Sequence, residues 1–334
     1  MSLSVEKVLR KAQSHMKAGE WAEAEELYKQ IIAKFPRNKK AIQGYQKIKL
    51  GIISITSANA EPPQQHAENL QSLYRKGRMH EVVSLAKPLS ALFPKSVSTH
   101  VILGEAYRCL DDNKAAIDSY RNALKLKPDY AEVYNNLGNA LKDVGDLESA
   151  IDSFNRALLM KPKYADAYYN LGSALHDAGD LDGAIGSFQQ ALRLRPDFVY
   201  AYLNMGIAQN EKGELNAAIS SYTRALKIKP DFAEAYNNRG NTLRDRAELD
   251  GAIDDYKKAI KINPDYTNAY WNLAGTASDI SEARSWLLEC LKVSKNFELA
   301  KLMIASLNYY EGDPKGFDCI AESSLRDHPF TRSF

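Results

Sequence analysis

Prolines recur in this chain at a fixed step. Pro94, Pro128, Pro162, Pro196, Pro230 and Pro264 lie 34 residues apart. Gly104, Gly138, Gly172, Gly206 and Gly240 keep the same step, as do Ala116, Ala150, Ala184, Ala218 and Ala252. So do the aromatic residues Tyr120, Phe154, Phe188, Tyr222 and Tyr256, followed by Ala123, Ala157, Ala191, Ala225 and Ala259. Shared periodicity of this length marks a stack of small units, each burying its apolar face against its neighbours, rather than a set of independent globular domains.

Each period divides into two helices. In residues Ala131 to Tyr164, Tyr134, Leu137, Gly138 and Leu141 fall at i, i+3, i+4 and i+7, the stripe of one helical face. Val144-Gly145-Asp146 is a turn, with Gly145 suited to the left-handed conformation that ends a helix. Ala150, Phe154 and Ala157 then form a second stripe, which Pro162 stops. Asp129 and Glu132 have capping-box spacing for the first helix. The small residues at 138, 150 and 157 let two antiparallel helices approach closely, and Phe154 fills the space beside them.

The pattern Tyr134, Leu137-Gly138, Leu141, Ala150, Phe154, Ala157, Pro162 resembles the tetratricopeptide repeat, whose period is also about 34 residues. The resemblance implies an all-α, right-handed α-solenoid of about nine antiparallel helix-turn-helix repeats, with the first helix of each lining the concave side. It is strong over residues 97–266 and degenerate over 63–96 and 267–331. Its departures are Gln209 where a large apolar residue is usual, Arg239 in the leucine column, and a unit from Thr267 to Phe297 about three residues short. The expected organisation is a repeat plus an extra helix in 1–50, a linker over 51–62, and one continuous array over 63–331. Gly312 and Pro329 mark a weak last unit.

On the concave side, Asn136, Asn170, Asn204, Asn238 and Asn272 form a column. A carboxamide carries both a donor and an acceptor, so it can pair with a peptide group whatever that residue's side chain. First helices spaced about 10 Å apart would meet every third residue of a strand rising about 3.3 Å per residue. The column also resembles the asparagine ladder in the superhelical repeat region of O-linked N-acetylglucosamine transferases, which implies a grip on substrate backbone. The alternative is that asparagine is ordinary repeat sequence at this place.

Nine acids lie around the ladder: Glu105, Glu132, Asp143, Asp166, Asp177, Glu211, Glu234, Asp245 and Asp279. Only Arg108, Lys142 and Arg244 oppose them. Asp143, Asp177, Glu211, Asp245 and Asp279 are expected in one column near first-helix C-termini, against the helix dipole. Either a basic partner uses them, or they pair with nearby cations at the turns. Tyr169, Tyr200 and Trp271 face the same side, as aromatic walls suited to peptide binding. Tetratricopeptide domains that clamp acidic C-termini need basic residues where this chain has Asn135, Asp166, Asn170 and Tyr200, so that function is not expected.

Three function classes compete. There is no P-loop, Rossmann glycine pattern, His-Glu-x-x-His or Gly-x-Ser-x-Gly, so this chain is not expected to be an enzyme or to hold a cofactor. Lys and Arg number 44 against 42 Asp and Glu, a net charge of +2, and the groove is acidic, so no nucleic acid is expected. No run of about 20 apolar residues or signal-peptide pattern appears, and the cysteines Cys109, Cys290 and Cys319 are scattered. These features favour no membrane and a cytoplasmic place. What remains is a scaffold for protein or peptide segments, with self-association through array ends also open. The chain stops just after Pro329 without a polar capping helix, and it resembles the repeat arms of bacterial modular transferases (glycosyl-, sulfo- or methyltransferases). That resemblance implies a substrate-recruiting arm whose gene continues past Phe334.

Overall fold

Close helix packing is written into one contact that recurs in every strong repeat. An ideal Cβ placed on Gly104, Gly138, Gly172, Gly206 or Gly240 would come within 2.6–2.7 Å of the ring of Tyr120, Phe154, Phe188, Tyr222 or Tyr256, respectively. The glycine of the first helix is thus the socket for the aromatic ring of the second. Those rings are at most 1% exposed, and the alanine columns flanking them are fully buried. Burying one such ring contributes about 1.5–3 kcal/mol. The two columns seen in the sequence are therefore two sides of one contact.

The computed structural model describes residues 5–18, 20–49, 61–62 and 64–311. These form eighteen α-helices and no strand. They divide into two compact units between Pro162 and Lys163. The first holds α1 (Val5–Ala18), α2 (Trp21–Lys34), α3 (Lys39–Lys49), α4 (Gln64–Arg75), α5 (Met79–Leu92), α6 (Val97–Cys109), α7 (Asn113–Leu126), α8 (Ala131–Asp143) and α9 (Leu147–Met160). The second holds α10 (Ala165–Asp177), α11 (Leu181–Leu194), α12 (Val199–Glu211), α13 (Leu215–Ile228), α14 (Ala233–Asp245), α15 (Leu249–Ile262), α16 (Thr267–Ala274), α17 (Ile280–Val293) and α18 (Glu298–Tyr310). Within each unit successive helices pack on one another, except α3 and α4, and first helices also touch the first helices of the next repeat: α4 to α6 to α8, and α10 to α12 to α14 to α16. Each unit is an all-α solenoid stretch. The extra helix α3 packs on α2, where Gly44 meets the buried Tyr28 ring, and it also touches α5. The linker expected at 51–62 lies outside the described residues except for Glu61 and Pro62, as do Gly312 and Pro329.

The turn between paired helices has a second column. Gly77, Asp111, Gly145, Gly179, Gly213 and Ala247 all have φ between 59° and 83°. Glycine takes that conformation freely, whereas Asp111 and Ala247 bear a Cβ penalty there of about 1–2 kcal/mol. Just beyond the turn, Asp112, Asp146 and Asp180 accept from Ala115, Ser149 and Gly183 backbone N–H groups, capping the second helices. Glu214 and Glu248 hold the equivalent places without a side-chain cap.

Two expectations about helix ends need correction. Asp129 and Glu132 do not form a capping box: α8 starts from Tyr130 with no side-chain cap, and Glu132 instead accepts from Lys161 Nζ at 2.8 Å. That bond holds the Glu132 carboxyl below its ordinary value. The second concerns the short repeat. Ile280 begins α17 only 13 residues after Thr267 begins α16, against 16 between Ala233 and Leu249. Because α16 is shorter than α14 while the connection after it is longer, Asp279 lies beyond the first helix and not at its C-terminus. It is the N-cap of α17, accepting from the Glu282 N–H at 2.8 Å.

Candidate functional site: the first-helix face

The asparagine column occupies a boundary. One residue further along each helix the leucine column turns inward, where Leu137, Leu171 and Leu273 are buried. Asn136 on α8, Asn170 on α10, Asn204 on α12, Asn238 on α14 and Asn272 on α16 are all half-buried. Each therefore has one side on the packing between repeats and another on the surface.

Three of the five amino groups donate backward to the preceding first helix. In the first unit, Asn136 Nδ2 donates to Glu105 Oε1 at 3.4 Å. In the second, Asn204 Nδ2 donates to Tyr169 Oη at 3.1 Å, and Asn272 Nδ2 to Asn237 Oδ1 at 2.8 Å. Asn237 in turn donates to Asn238 Oδ1 at 3.4 Å. These bonds hold the carboxamide planes. A carboxamide has two N–H groups and a carbonyl with two lone pairs, so one bond to a neighbour leaves capacity for another partner.

The acids fall where the register places them, with the exception of Asp279. Asp143, Asp177, Glu211 and Asp245 are the last residues of α8, α10, α12 and α14, and all four are exposed. Nearby side chains answer some of them. His176 meets Glu211 at 2.8 Å and Asp177 at 3.8 Å, and Arg244 lies 3.5 Å from Asp245. At the opposite ends of the first helices, Asp166 pairs with Arg195 as Glu132 pairs with Lys161. The aromatics divide. Tyr200 is half exposed and edge-on to Phe232. Tyr169 packs at 4.7 Å from the Phe198 ring, and burial raises its hydroxyl pKa. Trp271 is half-buried and stands edge-on to Phe297.

Sequence reasoning missed a buried polar layer. Asn135 and Asn237, one place before the ladder, are 6% and 4% exposed. The two departures from the repeat pattern also have partners. Arg239 makes a two-pronged bond to Asp255, Nε to Oδ2 at 2.6 Å and Nη2 to Oδ1 at 2.9 Å, while Nη1 donates to Thr223 Oγ1. Gln209 Oε1 accepts from Ser221 Oγ at 2.6 Å. Elsewhere this serine column (Ser119, Ser153, Ser187) donates to the carbonyl four residues back. The signal available was a coincidence: leucine becomes arginine and serine becomes aspartate within a single repeat.

Among the described residues, no group of His, Cys, Asp and Glu could hold a metal ion, and no helix is long and apolar enough to cross a membrane.

Comparison with known proteins follows the same columns. The family described as "Tetratricopeptide repeat" matches residues 8–38, 135–197 and 233–266, and "TPR repeat" matches 104–145 and 208–245. No curated protein matches the chain. Among solved structures, the C-terminal part of a TPR repeat-containing protein from Cytophaga hutchinsonii is similar, with TM-score 0.58 and 18% identity, over 70% of this chain and 97% of its own. The Cut9-Hcn1 hetero-tetramer of APC/C aligns over 91% of this chain and 56% of its own, with TM-score 0.55 and 17% identity. The MamA protein is 30% identical over half of this chain and 92% of its own, with TM-score 0.47.

Proposed function

We propose, for a chain that belongs to the tetratricopeptide-repeat family, that it is a non-catalytic scaffold holding extended protein segments along its first-helix face. The observation that carries this reading is the run of half-exposed carboxamides at one place on four touching first helices, α10, α12, α14 and α16. A backward bond orients Asn204 and Asn272, and their remaining N–H and C=O groups can address the peptide groups of a guest. Each such bond contributes about 0.5–1.5 kcal/mol, less the cost of ordering the guest, so capture is moderate and tolerant of sequence. Asp177, Glu211 and Asp245 add negative charge at the helix ends, which favours a basic segment, although Arg244 beside Asp245 tempers it.

The test replaces Asn170, Asn204, Asn238 and Asn272 with alanine, singly and together, and measures capture of an arrayed peptide library beside helical content and melting temperature. Capture should fall stepwise while helical content holds. Melting should drop more for the Asn272 variant, because the carbonyl oxygen of the buried Asn237 loses its donor. Undiminished capture by the folded quadruple variant would overturn the reading.

A further inference from the structure

A cleft of about 260 Å³ lies on the first-helix face of the first unit, between α4 and α6. Leu70, Tyr74, Ile102 and Tyr130 supply apolar wall, and Glu105 supplies a carboxylate. Pockets for drug-sized ligands run from roughly 300 to 1,000 Å³, so this space suits one side chain better than a free metabolite. Glu105 sits in it with an incomplete set of partners. Among the described residues its hydrogen-bond partners are neutral: the Asn136 amino group, which donates at 3.4 Å, and the Tyr74 hydroxyl. Burial raises the Glu105 pKa, and Arg108 and the Tyr74 hydroxyl offset only part of that effect. Arg75 also lines the cleft, from the exposed end of α4. Glu61 is held nearby by Ser96 and Ser98, Ser98 also lining the cleft, and adds a second acid.

We propose that this cleft is an anchor pocket for a long cationic side chain, lysine or arginine, of a bound segment. The aliphatic stem lies along Leu70 and Ile102 while the charged head meets Glu105. Such side chains bury the stem on apolar surface and keep the head on a polar group, and a carboxylate desolvated by an apolar wall gains most from a cation. The inference rests on the scaffold reading and makes it specific: a basic segment would be placed by one residue, with the carboxamides holding its backbone.

Two pools of end-blocked dodecapeptides with random flanks test this, one carrying lysine at the central position and one carrying norleucine. Binding of each is measured to the full chain and to Glu105→Gln, with melting temperature checking that the variant folds. The wild-type chain should retain the lysine pool about ten-fold better, the scale of one charge-assisted hydrogen bond. Glu105→Gln should bring the two pools to near parity while norleucine binding persists. Equal retention by wild type, or a lysine preference unchanged by Glu105→Gln, would overturn the pocket and leave the scaffold standing. Failure of both pools to bind the wild-type chain would overturn the scaffold reading and the pocket with it.

Discussion

Replacing Arg239 with leucine restores the residue found in the same column at 137, 171 and 273, yet it should harm the protein. Asp255 is only 2% exposed and receives two of its hydrogen bonds from that guanidinium. Removing one partner of a buried ion pair costs about 3–5 kcal/mol, because the other charge stays in low dielectric without compensation. Lys258 Nζ, 3.7 Å from Asp255 Oδ1, can make up some of this, which places the expected loss near the lower end, about 3 kcal/mol. Asp255→Ser alone should cost less, since Arg239 is 18% exposed and can turn toward water. The double variant Arg239→Leu with Asp255→Ser reproduces the Leu137 and Ser153 arrangement found three repeats earlier. Exchanging a buried pair for packed apolar groups is neutral or stabilising by about 1–4 kcal/mol. Urea titration of the four proteins forms the cycle. With slopes of about 1–3 kcal/mol per molar, the single arginine variant should lose roughly 1 M or more in midpoint, and the double variant should recover it. Trp286 packs against the cluster containing Tyr256 and gives a fluorescence signal local to this repeat. A leucine variant as stable as the double variant would refute the reasoning, since Asp255 would then be satisfied without Arg239.

Other outcomes follow from the same contacts. Gly138→Ala should destabilise by up to about 2 kcal/mol, because overpacking against Phe154 (about 1–3 kcal/mol) outweighs the gain in helix propensity of about 1 kcal/mol. Gly186→Ala, on a helix with open space around the new methyl, should instead stabilise by about 0.5–1 kcal/mol; thermal melts distinguish the two. Ala247→Gly should raise stability by about 1 kcal/mol in urea titration by relieving the left-handed turn. The raised Glu105 pKa means that the folded state binds this proton more tightly than the unfolded chain, so its contribution to stability is present below the ordinary carboxylate value and is lost as pH rises through the raised one. Stability of Glu105→Gln relative to wild type should therefore increase as pH climbs through that window, and a flat difference would contradict the assignment.

Much of the fold was legible because packing repeats. A glycine that receives a ring and the ring that fills it must recur together, so two unrelated-looking columns encoded one contact. The ladder's register was legible for the same reason. What stayed hidden depended on single events. The three-residue shortening was visible as a length, but its location decided that Asp279 caps a helix instead of ending one, and length alone does not carry location. The capping box at Asp129 failed because the actual helix starts after Tyr130 and a cation across the repeat competes for Glu132. The Arg239 and Asp255 pairing broke two columns at once, and a departure examined column by column conceals its partner. One wall of the cleft, α4, lies in a degenerate repeat, so although Glu105 was visible among the groove acids, no column pointed to the apolar space beside it.

In the second unit, Asn204 and Asn272 both turn their amino groups toward the first helix before them, so the two donors are presented in one sense along that stretch. A peptide is also a directional object, its N–H and C=O groups alternating in a fixed sense from amino to carboxyl end. A guest gripped by its backbone would fit such a pair better in one N-to-C direction than in the other, and because a sequence-reversed peptide can still lie in the favoured direction, reversal of side-chain order alone should leave capture largely unchanged.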